Sequence, residues 1–141
     1  MPMTTPTVVF VDTSALYAFL DADDRYHARA TRIWDHLHRA HGALTSHNYV
    51  IVETAAIVQR RLGPAAVQAL ARDVLPLLDV AWIDEALHSA AVTALLASER
   101  QDISLVDWAS FELMRRRDIR DAMTFDKHFV DQGFRVLSDA P

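Results

Sequence analysis

The sequence predicts an α/β sandwich built on a mostly parallel five-stranded sheet. Short β-branched apolar runs recur along the chain, and the first of them is Val8-Val9-Phe10-Val11. Stretches with helical apolar spacing separate most of these runs, and parallel neighbours need such crossovers. No repeat, low-complexity tract or long linker interrupts the pattern, and 141 residues is the length of one domain. The expectation is therefore a single domain over residues 1–141 with an ordered core of about 7–138.

The first strand, Val8–Val11, ends at Asp12-Thr13-Ser14, and Ala15 to Leu20 reads as helix. Asp21 to Asp24 is an acidic loop. Tyr26, Ala30, Ile33, Trp34 and Leu37 then recur on one face of an amphipathic helix that Gly42 ends. Ala43-Leu44-Thr45 is a short strand, and Tyr49 to Leu62 a helix closed by Gly63. Pro64 opens another helix at its first position, with Val67, Leu70, Ala71, Val74 and Leu75 on one side. Leu78, Val80 and Trp82 alternate with Asp79 and Ala81, a period-two pattern that predicts a half-buried strand. Ala86, Leu87, Ala90, Ala91, Ala94 and Leu95 restore the helical period, and a further helix follows Ser104 to Arg115-Arg116-Arg117. Ala122–Phe125 and Phe134–Leu137 are the last two strands, separated by a single turn.

Composition removes several classes of function. There is no cysteine, so disulfide scaffolds, thiolate zinc sites and cysteine nucleophiles are out. Apolar runs fall far short of the roughly 18 residues of a membrane span. The amino terminus lacks a basic n-region, so the chain reads as cytoplasmic. The three glycines, Gly42, Gly63 and Gly133, cannot build a phosphate-binding P-loop. A net charge of −5 argues against nucleic-acid binding through a broadly basic surface. It does not argue against acids gathered round a divalent cation, which make a site for metal and phosphate together. Thirteen of the fourteen bases are arginine, the better bidentate phosphate partner; Lys127 is the single lysine.

Ligands of parallel sheets lie beyond the carboxyl ends of the strands, which is where Asp12 and Asp126 fall. Each also suits a helix N-cap. Asp107 has its own local reading, since Ser104-Leu105-Val106-Asp107 fits a capping box. Glu53 is different: its helical neighbours Tyr49, Val50, Ala56 and Ile57 are apolar or aromatic, which places it on a face expected to be buried. A carboxylate there needs either an ion pair, with Arg60 or another arginine, or a metal or catalytic role. Were Asp12, Glu53, Asp107 and Asp126 to converge, neighbours about 4 Å apart would repel by roughly 4 kcal/mol at an effective dielectric of 20. A hard divalent cation such as Mg²⁺ or Mn²⁺ relieves that repulsion.

Val-Asp12-Thr13-Ser14-Ala-Leu, Val-Ile-Val-Glu53-Thr, Ser104-Leu-Val-Asp107 and Thr124-Phe-Asp126-Lys-His-Phe stand in that order over nearly the whole chain. Together they resemble the PIN-domain ribonucleases, and more narrowly the VapC toxins of type II toxin–antitoxin modules. The resemblance implies a three-layer α/β/α sandwich and Mg²⁺- or Mn²⁺-dependent cleavage of RNA. Asp12 and Asp107 match the family's principal metal-ligand positions, and Glu53 and Asp126 its other two acids. Thr13, Ser14 and Thr124 fit hydroxyl positions that support the acids or contact phosphate, while capping accounts equally for Thr13 and Ser14. A homodimer and a small cognate antitoxin lying across the site are further implications.

Other clusters read as structural. Asp21-Ala22-Asp23-Asp24 lacks the glycine and third ligand of a calcium loop. His36, His38 and His41 do not share a helical face, so they are expected at the surface. Arg115-Arg116-Arg117 suits the carbonyl end of a helix as well as an RNA backbone. Asp121 is expected at a strand start, the wrong end of the sheet for the crevice. Two alternatives to the nuclease share the fold: an inactive dimerisation or antitoxin-binding module, and a metal-dependent nuclease or phosphatase with another substrate.

Overall fold

The structure is a computed structural model, and it describes residues 7–137. Five strands alternate with helices in the order β1 (Val8–Val11), α1 (Thr13–Leu20), α2 (His27–Arg39), β2 (Ala43–His47), α3 (Asn48–Leu62) and α4 (Pro64–Ala69). β3 (Asp79–Ala81), α5 (Glu85–Ser98), α6 (Leu105–Arg116), β4 (Asp121–Met123), α7 (His128–Asp131) and β5 (Arg135–Val136) complete it. The strand order is β3-β2-β1-β4-β5, with every pairing parallel. Successive strand residues face opposite sides of a sheet, yet Val9, Phe10 and Val11 are all 0% exposed, so helices cover both faces of β1.

This order has one topological switch point. The chain runs outward from β1 through β2 to β3, and then returns to the other side of β1 for β4 and β5. The carboxyl ends of β1 and β4 therefore lie side by side with no connection crossing above them, and the Asp12 amide donates to the Met123 carbonyl at 3.1 Å. In open parallel sheets that is the crevice where ligands sit.

Three sequence expectations need correction. The helix opened by Pro64 is regular only to Ala69; Leu70–Val74 widens to a π turn and Leu75–Leu77 tightens to a 3₁₀ turn. Pro76 explains the break, since it has no amide proton and its ring crowds the carbonyl four residues back. The alternation around β3 holds for Leu78, Asp79 and Val80 and then breaks: Ala81 is buried, whereas Trp82 stands 79% exposed just past the strand end. An edge strand of three residues is too short for its flanks to follow the pleat. Finally, the connection from β4 to β5 is a crossover carrying α7, as parallel pairing demands, in place of a single turn.

Candidate active site

The acids meet over that crevice. Asp12, Glu53, Asp107 and Asp126 line one cleft of about 300 Å³, together with Thr13, Ser14, Tyr17, Ile57, Arg61 and Ser104. Four separate elements contribute, so the fold assembles what the sequence scatters over more than a hundred positions.

Asp12 follows β1 and is 3% exposed. It occupies the N-cap position of α1, but its side chain makes no capping bond. Oδ2 instead accepts the Ser14 hydroxyl at 3.0 Å and the Thr124 hydroxyl at 2.9 Å. Both hydroxyls are themselves held: Ser14 Oγ accepts the Phe125 amide at 2.9 Å and Thr124 Oγ1 the Asp126 amide at 3.0 Å. β1, α1 and the end of β4 are thereby tied together at one carboxylate. Burial, and next the charge of Asp107, push the Asp12 carboxyl up to about 7.

Asp107 has two jobs at once. Its carboxylate accepts the Ser104 amide at 3.0 Å while its own amide donates to Ser104 Oγ at 3.2 Å, completing the expected capping box of α6. Burial nevertheless raises its carboxyl above the ordinary value, with the charges of Asp126 and Glu53 pushing the same way. Asp126 accepts the His128 amide at 2.9 Å and so turns the chain into α7, whose N-cap is Lys127. The carboxylates thus feel one another in a chain from Asp12 through Asp107 to Asp126 and Glu53.

Glu53 is half-buried and opens into the cleft, not into the core as its neighbours implied. The arginine facing the cleft from the same helix is Arg61, not Arg60. Arg61 lies over the Tyr17 ring at 5.5 Å, and the Tyr17 hydroxyl donates to Asp21 at 2.7 Å. Neither residue was singled out from the sequence, although the spacing held the signal. Glu53, Ile57 and Arg61 are four apart, as are Thr13 and Tyr17, which places each set on one helical row.

A further residue absent from the sequence reading is His47, fully buried between β2 and α3. Its Nδ1 accepts the Val50 amide at 3.2 Å, so the ring proton is on Nε2, which faces Ser110 Oγ at 2.8 Å. The Ser110 hydroxyl in turn donates to the Val106 carbonyl at 2.9 Å. Burial lowers the imidazole to about 4, so it stays neutral and fixes the helix of Glu53 to that of Asp107.

The remaining clusters fall where expected. His36, His38 and His41 are exposed. Asp121 sits at the start of β4 and pairs with Arg135 through two contacts of 2.7 Å. Asp21 and Asp24 accept the amides of Asp23 and Tyr26 within their own loop.

Residues 9–135 match the profile of the PIN domain, and the chain belongs to the PIN-domain family. It is 34% identical over 128 residues to the 23S rRNA-specific endonuclease VapC20 of Mycobacterium tuberculosis, covering 90% of this chain and 95% of that one. The crystal structure of that protein, described as a sarcin-ricin loop cleaving toxin, superposes with a TM-score of 0.82 at 30% identity, over 92% of this chain and 98% of VapC20. DNA-bound VapBC from Salmonella typhimurium gives 0.69 over 96% of this chain and 100% of that one. FitAcB from Neisseria gonorrhoeae gives 0.64 over 93% and 97%. Both of these are 14% identical and share the fold.

Proposed function

We propose that the chain is a divalent-metal-dependent endoribonuclease and the toxin of a toxin–antitoxin pair. One observation carries this reading: four carboxylates from four elements line a single cleft at the sheet's switch point, and Asp12 and Asp107 are held above their ordinary pKa. Bringing the four charges together works against folding, since burial and like charges disfavour the ionised forms. Capping accounts for Asp107 and turn formation for Asp126, but neither accounts for the Asp12 carboxylate, which makes no capping bond.

The donor set fits a hard cation. All four candidate ligands are carboxylates, and the Thr13 hydroxyl beside them is buried without a hydrogen-bond partner. Among the described residues no three acidic or histidine side chains converge tightly enough to hold a metal ion as they stand. Like charges keep apart, and Asp107 is turned toward the Ser104 amide. A cation would draw the half-buried Glu53, Asp107 and Asp126 side chains toward the fixed Asp12 carboxylate.

Asp12 and Asp107 would hold Mg²⁺ or Mn²⁺, with Glu53 and Asp126 binding it through water or orienting the attacking water. A divalent cation supplies Lewis acidity there, neutralising phosphate charge and acidifying water. Ser14 and Thr124 fix the plane of the Asp12 carboxylate, and Thr13 offers a hydroxyl to phosphate or water. The water oxygen forms the new bond to phosphorus, the bond to the 3′ oxygen breaks, and that oxygen takes a proton. The products are a 5′-phosphate and a 3′-hydroxyl.

RNA is favoured as substrate by the 34% identity to a 23S rRNA endonuclease over 90% of this chain. A small antitoxin and a homodimer follow the same reading, as does a cytoplasmic place for a single domain over 1–141; no helix among the described residues is long and apolar enough to cross a membrane. The test is incubation of the antitoxin-free chain with structured and single-stranded RNA in Mg²⁺, Mn²⁺ and EDTA beside Asp12→Asn. Cleavage that needs metal and is lost in the variant is expected. Cleavage that survives EDTA or the substitution overturns the reading.

A further inference from the structure

A second pocket, of about 280 Å³, adjoins the acid cleft, with Asp126 in the wall of both. Its character is opposite to that of the cleft. Tyr26 and Phe125 stack with centroids 4.5 Å apart and planes at 2°. The Arg25 guanidinium lies 4.5 Å from the Tyr26 ring centre and that of Arg29 5.9 Å. Lys127, the chain's single lysine, stands exposed on the same rim, and the exposed Val130 and half-buried Val136 add apolar lining.

The arrangement is held in advance. The Tyr26 amide donates to Asp24 at 2.8 Å, the Arg25 guanidinium donates to the Tyr26 hydroxyl, and the Phe125 amide donates to Ser14, which also holds Asp12. The last link couples the ring pair directly to the buried carboxylate. A chain of net charge −5 that gathers four acids in one cleft repels a polyanion at the point where it must bind. Local cations beside the cleft are what the electrostatics require, and aromatic rings beside cations are what a single-stranded nucleotide uses: a π face for the base, charge for the phosphate. At about 280 Å³ the pocket is on the scale of one nucleobase with its sugar.

Resting on the nuclease reading above, we infer that the Tyr26–Phe125 pocket is the subsite for the nucleotide next to the scissile phosphate. The unpaired base lies against the ring pair, and Arg29 and Lys127 face the backbone phosphate. The occupant is unpaired RNA, since a base locked in a helical stack cannot reach a ring pair set in a pocket.

The test is steady-state cleavage of a single-stranded RNA oligonucleotide of mixed sequence in Mn²⁺, read as KM and its salt dependence. Tyr26→Leu removes the ring and Tyr26→Phe keeps it; Arg29→Gln and Lys127→Gln remove charge. Tyr26→Leu is expected to raise KM roughly tenfold, the scale of one base–aromatic contact, with Tyr26→Phe near wild type. Each charge variant is expected to flatten the slope of log KM against log salt by about 0.7. Wild-type KM and salt slope in all four overturn the inference while leaving the nuclease intact. So does an equal KM rise in Tyr26→Phe and Tyr26→Leu with a lowered melting temperature, which marks a packing role. Loss of binding to a protein partner with KM unchanged also overturns it, by assigning the pocket to that partner. Failure of the wild-type chain to cleave this oligonucleotide and a sarcin-ricin loop RNA alike, with metal present, overturns the nuclease reading itself.

Discussion

Asp12→Asn removes the charge that the fold finds hardest to bury, and it is expected to stabilise the metal-free chain. The carboxyl titrates near 7 in the folded protein against an ordinary value of 3.8. A folded-state value raised in this way gives stability that is fully present below about 3.8 and is lost as pH rises through about 7. At about 1.36 kcal/mol per unit, the wild type carries a penalty of about 4 kcal/mol near pH 8 and about 1.5 kcal/mol near pH 5. Asp12→Asn carries none, so its advantage over wild type is expected to grow by about 2.5 kcal/mol between those two pH values. With a urea slope of about 2 kcal/mol/M, that is a change of roughly 1 M in the separation of the two midpoints. The assay is urea denaturation of both proteins in EDTA at the two pH values. Comparing the proteins at each pH cancels the groups remote from Asp12, His47 included, and leaves Asp12 with the Asp107 charge it is coupled to. A separation that does not change with pH, or that shrinks as pH rises, would refute the reasoning, because Asp12 would then titrate like an exposed carboxylate.

Two further substitutions probe the supports of the site. Thr124→Val removes a buried hydroxyl that serves both Asp12 and Asp126. It is expected to cost about 1–3 kcal/mol in urea denaturation, and to move the acid limb of RNA cleavage to higher pH, because Asp12 loses a donor that favours its charged form. His47, lowered to about 4, gives stability that is present above its ordinary 6.5 and is lost as pH falls through about 4. Wild type is therefore expected to lose about 3 kcal/mol from this group on acidification. His47→Asn should erase that component of the difference between the two proteins, measured by denaturation across the acid range.

What the sequence disclosed and what it withheld divide along physical lines. Val8–Val11 and the period of Tyr26 to Leu37 are strong local signals, and the structure keeps both as β1 and α2. The acids were legible because chemistry constrains residue type: Asp12 and Asp126 end their strand regions, and Ser104 with Asp107 spells its own cap. Positions around β3 were not legible, since alternation in a three-residue edge strand is set by the neighbouring strand and by the loop after it. Trp82 is the consequence, apolar in sequence yet exposed in place. Pro76 was visible, but whether a helix kinks, widens or stops there depends on what it packs against. His47 and Arg61 were missed for a common reason. A histidine capping a helix, or an arginine two turns from a glutamate, acquires meaning only once Ser110 or Tyr17 is brought to it from elsewhere.

The central claim is that four carboxylates act together as one cation site, and Mn²⁺ binding to the metal-free chain measures it most directly. Titration of the wild type, Asp12→Asn and Asp107→Asn can be followed by the loss of the free-ion paramagnetic resonance signal, with no RNA present. The expected result is saturable binding by the wild type and affinity at least about tenfold weaker in each variant, accompanied by proton release at neutral pH as Asp12 ionises. Equal binding by all three proteins, or no saturable binding by any, would contradict the claim and return the acids to capping and turn formation.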